Sequence, residues 1–234
     1  MGIPIAEQPT GIDVSHWQGA IDWPTVQRAG RSFAYIKATE GIGYVNPNYR
    51  PDTLACRRVG MIPGAYHFLS HAPASTGATG AEQARFFFRI IKNDLVKNTL
   101  PPALDIEADP QYPTPDSIQH MTARVVQFVD TLHDLIGVYP VIYGDRYFLT
   151  HDVFTTYLWD KCPLWIAHWG VDVPQLKSGG ITLPWPYHTF HQYEARPGYE
   201  ASHVPGVQGA CDVDRFNGSM SQLEKLANTL GGVR

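Results

Sequence analysis

The chain has 234 residues, of which 44% are hydrophobic and 12% aromatic, enough for one large α/β domain or two small ones and incompatible with intrinsic disorder. Charged residues make up 17% and the formal net charge is −4, so the electrostatics give no reason to expect a nucleic-acid partner. No apolar stretch approaches the length of a membrane-spanning helix, and no membrane insertion is expected.

The opening M-G-I-P-I-A-E-Q-P-T lacks the basic and apolar regions of a secretory signal. Residues 1–10 are expected to form a short extended arm ahead of a domain covering 11–234. Residues 11–15 (G-I-D-V-S) read as a first strand, with Ile12 and Val14 on one face and Asp13 on the other. His16 to Gly19 read as a loop. Asp22 can cap a short helix with Pro24 in its first turn, ending at Gly30. A second strand follows over 32–39, a helix over 46–58, and a third strand over 61–69. Residues 72–80 read as a loop that ends in a capping box, Thr79 with Glu82, before a helix carrying Ala84, Phe87, Phe88 and Ile91.

Pro101 to Asp109 (P-P-A-L-D-I-E-A-D) reads as a short buried fourth strand. Side chains alternate along a strand, so Asp105 and Glu107 share one face, about 6.6 Å apart along the chain, while Leu104 and Ile106 share the other. Two neighbouring carboxyls resist ionising together, which supplies the acid and the charged partner that glycoside hydrolysis uses. A bare D-x-E is more often two unrelated acids at a strand end, so the motif needs support from elsewhere. The longest helix starts near Thr114-Pro115 and keeps a 3.6-residue period through Ile118, Met121, Val125, Phe128 and Leu132. A fifth strand covers 138–144 and a weakly helical aromatic segment spans 148–159. Strands over 164–169, 189–193 and 210–216 follow, separated by Gly/Pro-rich loops, with a last helix near 221–230.

Eight strands with helices after the first five predict a single-domain α/β fold built on a parallel sheet. The length favours a closed, incomplete TIM-like (β/α)5(β)3 barrel, and a doubly wound open sheet is the competitor. Active sites of such barrels lie at the C-terminal ends of the strands. Near those ends stand Asp13, Lys37 with Glu40, Tyr66 with His67, Asp105 with Glu107, Tyr143, His168 with Trp169, Gln192 with Tyr193, and Asp212 with Asp214. Carboxylates among aromatic rings suit a sugar, whose C–H faces pack on rings while its hydroxyls bond to acids. Lys37 can pair with a mouth carboxylate or form a purely structural ion pair. His188-x-x-His191 with His168 matches no standard zinc spacing, and neither a metal nor a cofactor is expected. Cys56, Cys162 and Cys211 are an odd set without C-x-x-C spacing, read as three reduced, buried thiols.

The segments G-I-D-V-S-H-W-Q-G (11–19), Y-I-K-A-T-E-G (35–41), G-A-Y-H-F (64–68), A-L-D-I-E (103–107), L-W-I-A (164–167) and C-D-V-D-R-F-N-G (211–218) resemble the signature segments of glycoside hydrolase family 25. These are the Chalaropsis-type lysozymes, or N,O-diacetylmuramidases. The resemblance implies the incomplete barrel and hydrolysis of the β-1,4 bond between N-acetylmuramic acid and N-acetylglucosamine in bacterial peptidoglycan. It further implies that Glu107 is the general acid, with Asp105 as its partner, Asp13 as the acid of the first strand, and Asp212 rather than Asp214 as the acid of the last. Lys37, Glu40, Tyr66, His67, Tyr143, Trp169, Gln192 and Asp214 are expected to contact substrate. The expected partner is the peptidoglycan glycan strand, met by a monomer. A phage endolysin and a secreted enzyme whose leader was removed both fit. A glycan-binding module without catalysis and a chitinase-like hydrolase are the alternative functions.

Overall fold

In a computed structural model, the structure describes residues 3–71, 77–107, 118–151, 155–178, 180–196, 199 and 202–230. Strand β1 (Thr10–Val14) leads through a 3-10 turn to α1 (Trp23–Arg28), whose N-cap Asp22 accepts from the Thr25 amide. β2 (Arg31–Glu40) folds back on the two-residue β3 (Tyr44–Val45) before α2 (Tyr49–Arg58) and β4 (Ile62–Phe68). The capping box expected at Thr79 and Glu82 opens α3 (Gly80–Ile91). β5 (Ala103–Asp105), α4 (Ile118–Ile136), β6 (Val141–Asp145) and α5 (Arg146–His151) complete the alternating part. β7 (Leu164–Ala167), a small hairpin of β8 (Lys177–Ser178) and β9 (Ile181–Thr182), β10 (Phe190–Glu194), β11 (Asp212–Phe216) and α6 (Met220–Ala227) follow.

The sheet order β1-β11-β10-β7-β6-β5-β4-β2 closes through pairing of β1 with β2, with β3 appended to β2. The result is a single-domain barrel with helices after its first five strands. One expectation fails: the sheet is not wholly parallel. β11 runs antiparallel to both β1 and β10, while the other barrel pairings are parallel. The expected fourth strand shortens to three residues, the N-terminal segment holds a 3-10 turn at Ile5–Glu7, and the three hairpin strands β3, β8 and β9 carry too short a pattern to be read from sequence. The expected start of the long helix at Thr114 and the strand exit through Asp109 lie outside the described residues.

Strand alternation sorts the core into two layers. Ile12, Val14, Ala34, Ile36, Leu104, Ile142, Leu164 and Ile166 face outward and pack under the helices with Phe87, Val125 and Phe128. Phe33, Tyr35, Trp165, Phe190 and Phe216 face inward and fill the barrel, with Tyr35 stacked on Trp165 at 4.6 Å. Leu223 and Ala227 of α6 join this inner cluster beside Phe33, Ile62 and Val141, so α6 seals the end opposite the strand C-termini. Two glycines make room for the aromatic filling. A Cβ on Gly11 would lie 2.5 Å from the Phe33 ring, and one on Gly64 would lie 2.6 Å from the Tyr35 ring. The three cysteines are buried and unpaired, and among the described residues no helix is long and apolar enough to cross a membrane.

Candidate active site

With the lower barrel filled by rings, the inward positions one pleat higher carry polar groups: Asp13, Lys37, Tyr66, Asp105, Tyr143, Gln192 and Asp212. Asp13, Lys37, Glu40, Tyr66, Asp105, Glu107 and Asp212 line one groove of about 550 Å³, which His16 and Trp17 border. Asp212 reaches this mouth because β11 is antiparallel. Its first residue, not its last, stands at the end where the parallel strands finish, and Asp212 sits directly opposite Asp13.

Regular pairing of β5 stops at Asp105, but the chain stays held on both sides for another residue. The Leu69 amide donates to the Asp105 carbonyl and the Ile106 amide to the Tyr143 carbonyl, each at 3.0 Å. Ile106 therefore turns into the outer core, and Glu107 enters the groove above Asp105. Burial, then the nearby Asp145 carboxylate, push Glu107 up to about 7, with Lys37 pulling the other way. Burial and Glu107 itself also push Asp105 well above the usual carboxylate range, again against Lys37. Burial and the Glu107 carboxylate thus both favour the neutral form of Asp105, and Lys37 favours its charged form. The Lys37 ammonium sits 2.6 Å from Glu40 Oε2 and 4.6 Å from the centre of the Phe68 ring.

Across the mouth, burial and the neighbouring Asp214 raise Asp13, and burial and Asp13 raise Asp212 to about 9. Gln192 ties this acid pair to the rest of the rim. Its amide nitrogen donates to Asp13 Oδ2 at 2.8 Å, and its oxygen accepts from the Tyr143 hydroxyl and from Trp169 Nε1, each at 2.9 Å.

Of the expected contacts, Lys37, Glu40 and Tyr66 line the groove, Tyr143 lines a small cavity shared with Asp105 and Glu107, Gln192 reaches it through Asp13, and His67 and Asp214 are turned away from the mouth. His67 follows Tyr66 by one residue and therefore points outward: it is fully buried, bonded to Thr39 and Gln83, and stacked on Phe128 at 4.9 Å. Burial holds it neutral, with its pKa down at about 3. Asp214 lies one pleat below Asp212, fully buried, accepting from Trp165 Nε1 at 2.8 Å. Trp169, 45% exposed, lines a separate cleft beside the groove. Conversely, sequence reasoning missed Trp17, Asp145 and Trp165 as site residues. Trp17 is 81% exposed at the groove edge, Asp145 acts on Glu107, and Trp165 floors the small cavity under Asp105 and Asp212. A tryptophan four residues past an inward acid was the available signal for the first; the others depend on neighbours distant in sequence.

Residues 12–200 match the model of glycosyl hydrolases family 25. The chain is 36% identical over 233 residues to lysozyme M1 of Streptomyces globisporus, covering 93% of this chain and 71% of that protein. It is 31% identical over 237 residues to the N,O-diacetylmuramidase of Chalaropsis sp, covering 93% and 98%. The crystal structure of a bacterial lysozyme from Streptomyces coelicolor superposes with a TM-score of 0.79 at 34% identity, covering 95% of this chain and 98% of that one. A closed barrel with acids at one mouth and a family match over most of its length lead to one assignment: this chain belongs to glycosyl hydrolases family 25 and is a glycoside hydrolase.

Proposed function

We propose that the protein is a muramidase that hydrolyses the β-1,4 bond between N-acetylmuramic acid and N-acetylglucosamine in bacterial peptidoglycan. The observation that carries this reading is Glu107, a carboxyl held near pH 7 by burial and by Asp145, in a groove of about 550 Å³ bordered by an exposed tryptophan. Glu107 is the general acid that protonates the leaving glycosidic oxygen. Asp105, beneath it, is the partner: as the carboxylate that Lys37 favours it stabilises positive charge at the sugar, and in either form it can orient the 2-acetamido group. Asp13 and Asp212 hold water or the acetamido group opposite. Lys37, Glu40 and Tyr66 border the bound sugar, and Tyr143, Gln192 and Trp169 hold Asp13 and the rim in place.

Every group in this reading comes from one chain, consistent with action as a monomer on the cell wall, whether as an endolysin or as a secreted enzyme. The test is clearing of a peptidoglycan suspension together with mass spectrometry of the fragments. The expected result is new reducing ends on muramic acid and loss of at least 100-fold in rate in Glu107→Gln, the scale of a general-acid contribution. Release of soluble products from chitin but not from peptidoglycan would overturn the substrate, and a fully active Glu107→Gln would overturn the acid.

A further inference from the structure

Beside the groove lies a second cleft, of about 370 Å³, formed at the ends of β6 and β7 and lined by Asp145, Arg146, Tyr147, Ala167, His168 and Trp169. It adjoins the reacting centre. Asp145 is close enough to act on Glu107, and Trp169 is bonded through Gln192 to Asp13. In the closed sheet order the groove draws on β1, β2, β4, β5 and β11, so the cleft occupies the other side of the mouth.

The two sides differ in the cation they can offer. The groove presents Asp13, Glu40, Asp105, Glu107 and Asp212 against one ammonium, Lys37, whose Nζ is already bonded to Glu40. The cleft presents Asp145 and Arg146. Asp145 Oδ1 is occupied by the Phe148 amide at 3.0 Å. The guanidinium makes only long contacts among the described residues, both through Nη1, to Gln175 Oε1 at 3.4 Å and to the Lys177 carbonyl at 3.3 Å. Arg146 is therefore positioned as a donor fork with capacity for a planar anion, in a cleft it shares with two exposed rings, Tyr147 at 62% and Trp169 at 45%.

Resting on the muramidase reading, we propose that this cleft is a recognition site for the carboxylate-bearing side arm of the muramic acid residue, with Arg146 as its anion-binding group. The side arm is a lactyl ether, which carries a free carboxylate when bare and the carboxylates of a stem peptide when substituted. Carboxylate chemistry is common to both forms. Lys37 in the groove is taken by Glu40, so Arg146 is the cation left to receive such an arm, which sets the direction in which the strand lies over Glu107 and separates peptidoglycan from an uncharged N-acetylglucosamine polymer.

The experiment measures kcat and KM on soluble uncrosslinked glycan strands, intact or stripped of stem peptides by an amidase, each with carboxyls free or converted to neutral amides. Arg146→Gln is expected to lower kcat/KM about tenfold on carboxylate-bearing strands, through KM, a typical factor for one partly exposed charged hydrogen-bonding group. Wild type is expected to lose the same factor on amidation, and the variant to be indifferent to it. Arg146→Lys, which keeps the charge without the fork, should fall between them and covers a folding failure of the first variant. A loss confined to intact strands assigns the stem carboxylates; one confined to stripped strands assigns the lactyl group. No loss, or a loss that persists undiminished on amidated strands, overturns the proposal. Should wild type cut no strand, the muramidase reading fails separately, and the affinity of wild type and Arg146→Gln for free and amidated strands still decides whether Arg146 binds the carboxylate.

Discussion

Asp145→Asn isolates the electrostatic control of the proposed acid. Glu107 sits at about 7, against 4.5 for an ordinary glutamate, so its surroundings favour the protonated form by about 3 kcal/mol. Burial supplies most of that, and the Asp145 carboxylate is the next contributor. Asp145 is exposed to solvent, so its effect belongs near the water-like end of the Coulomb scale, about 1 kcal/mol or ~0.7 of a pH unit. The substitution removes the charge and little else, because an asparagine oxygen can still accept from the Phe148 amide that Asp145 now caps. The sign is determined. A general acid works while protonated, so activity is present below its pKa and lost above it. Wild-type kcat/KM, followed from pH 4 to 9 on soluble glycan strands, should fall with a basic limb near 7. In Asp145→Asn that limb should move to about 6.3. A limb that stays in place, or moves upward, refutes the electrostatic link; a wild-type limb below pH 5 refutes Glu107 as the raised acid.

Two further outcomes follow from the same network. Gln192→Met should leave the Tyr143 hydroxyl and the Trp169 indole without their shared acceptor and Asp13 without its donor. Unpaired buried groups cost about 1–3 kcal/mol each, so Tm should drop by several degrees and kcat by more than tenfold; unchanged Tm and kcat would show that the hub is idle. Stability should also decline as pH rises from 6.5 to 9. Asp212 is raised to about 9, and Asp13, Asp105 and Asp214 are raised as well, so the folded state holds protons that the unfolded chain has released, and their stabilisation is lost as pH climbs through the folded pKa values. The lowered His67, His188 and His191 act only below about 6.5, where they oppose this trend. Melting temperatures across that window should slope downward, and less steeply in Asp212→Asn; a flat or rising wild-type curve would contradict the cluster.

Local patterns in the chain determined a good part of this. The β/α alternation, the caps at Asp22 and Thr79, and the placement of Asp13, Asp105 and Glu107 opposite apolar neighbours all follow from periods of two and 3.6 residues and from side chains bonding to amides within three positions. Those are interactions whose partners are near in sequence. The tertiary structure alone decided the direction of β11, because the long connection before it lets the strand enter from either end, and that direction is what sets Asp212 against Asp13 at the mouth and sinks Asp214 beneath it. It decided too that His67 belongs to the outer core while Tyr66 serves the groove, since one step along a strand exchanges faces and only closure of the barrel says which face is the inside. The Gln192 hub, the pull of Asp145 on Glu107 and the Arg146 cleft join residues from different strands and loops, so no period or spacing in the chain encodes them.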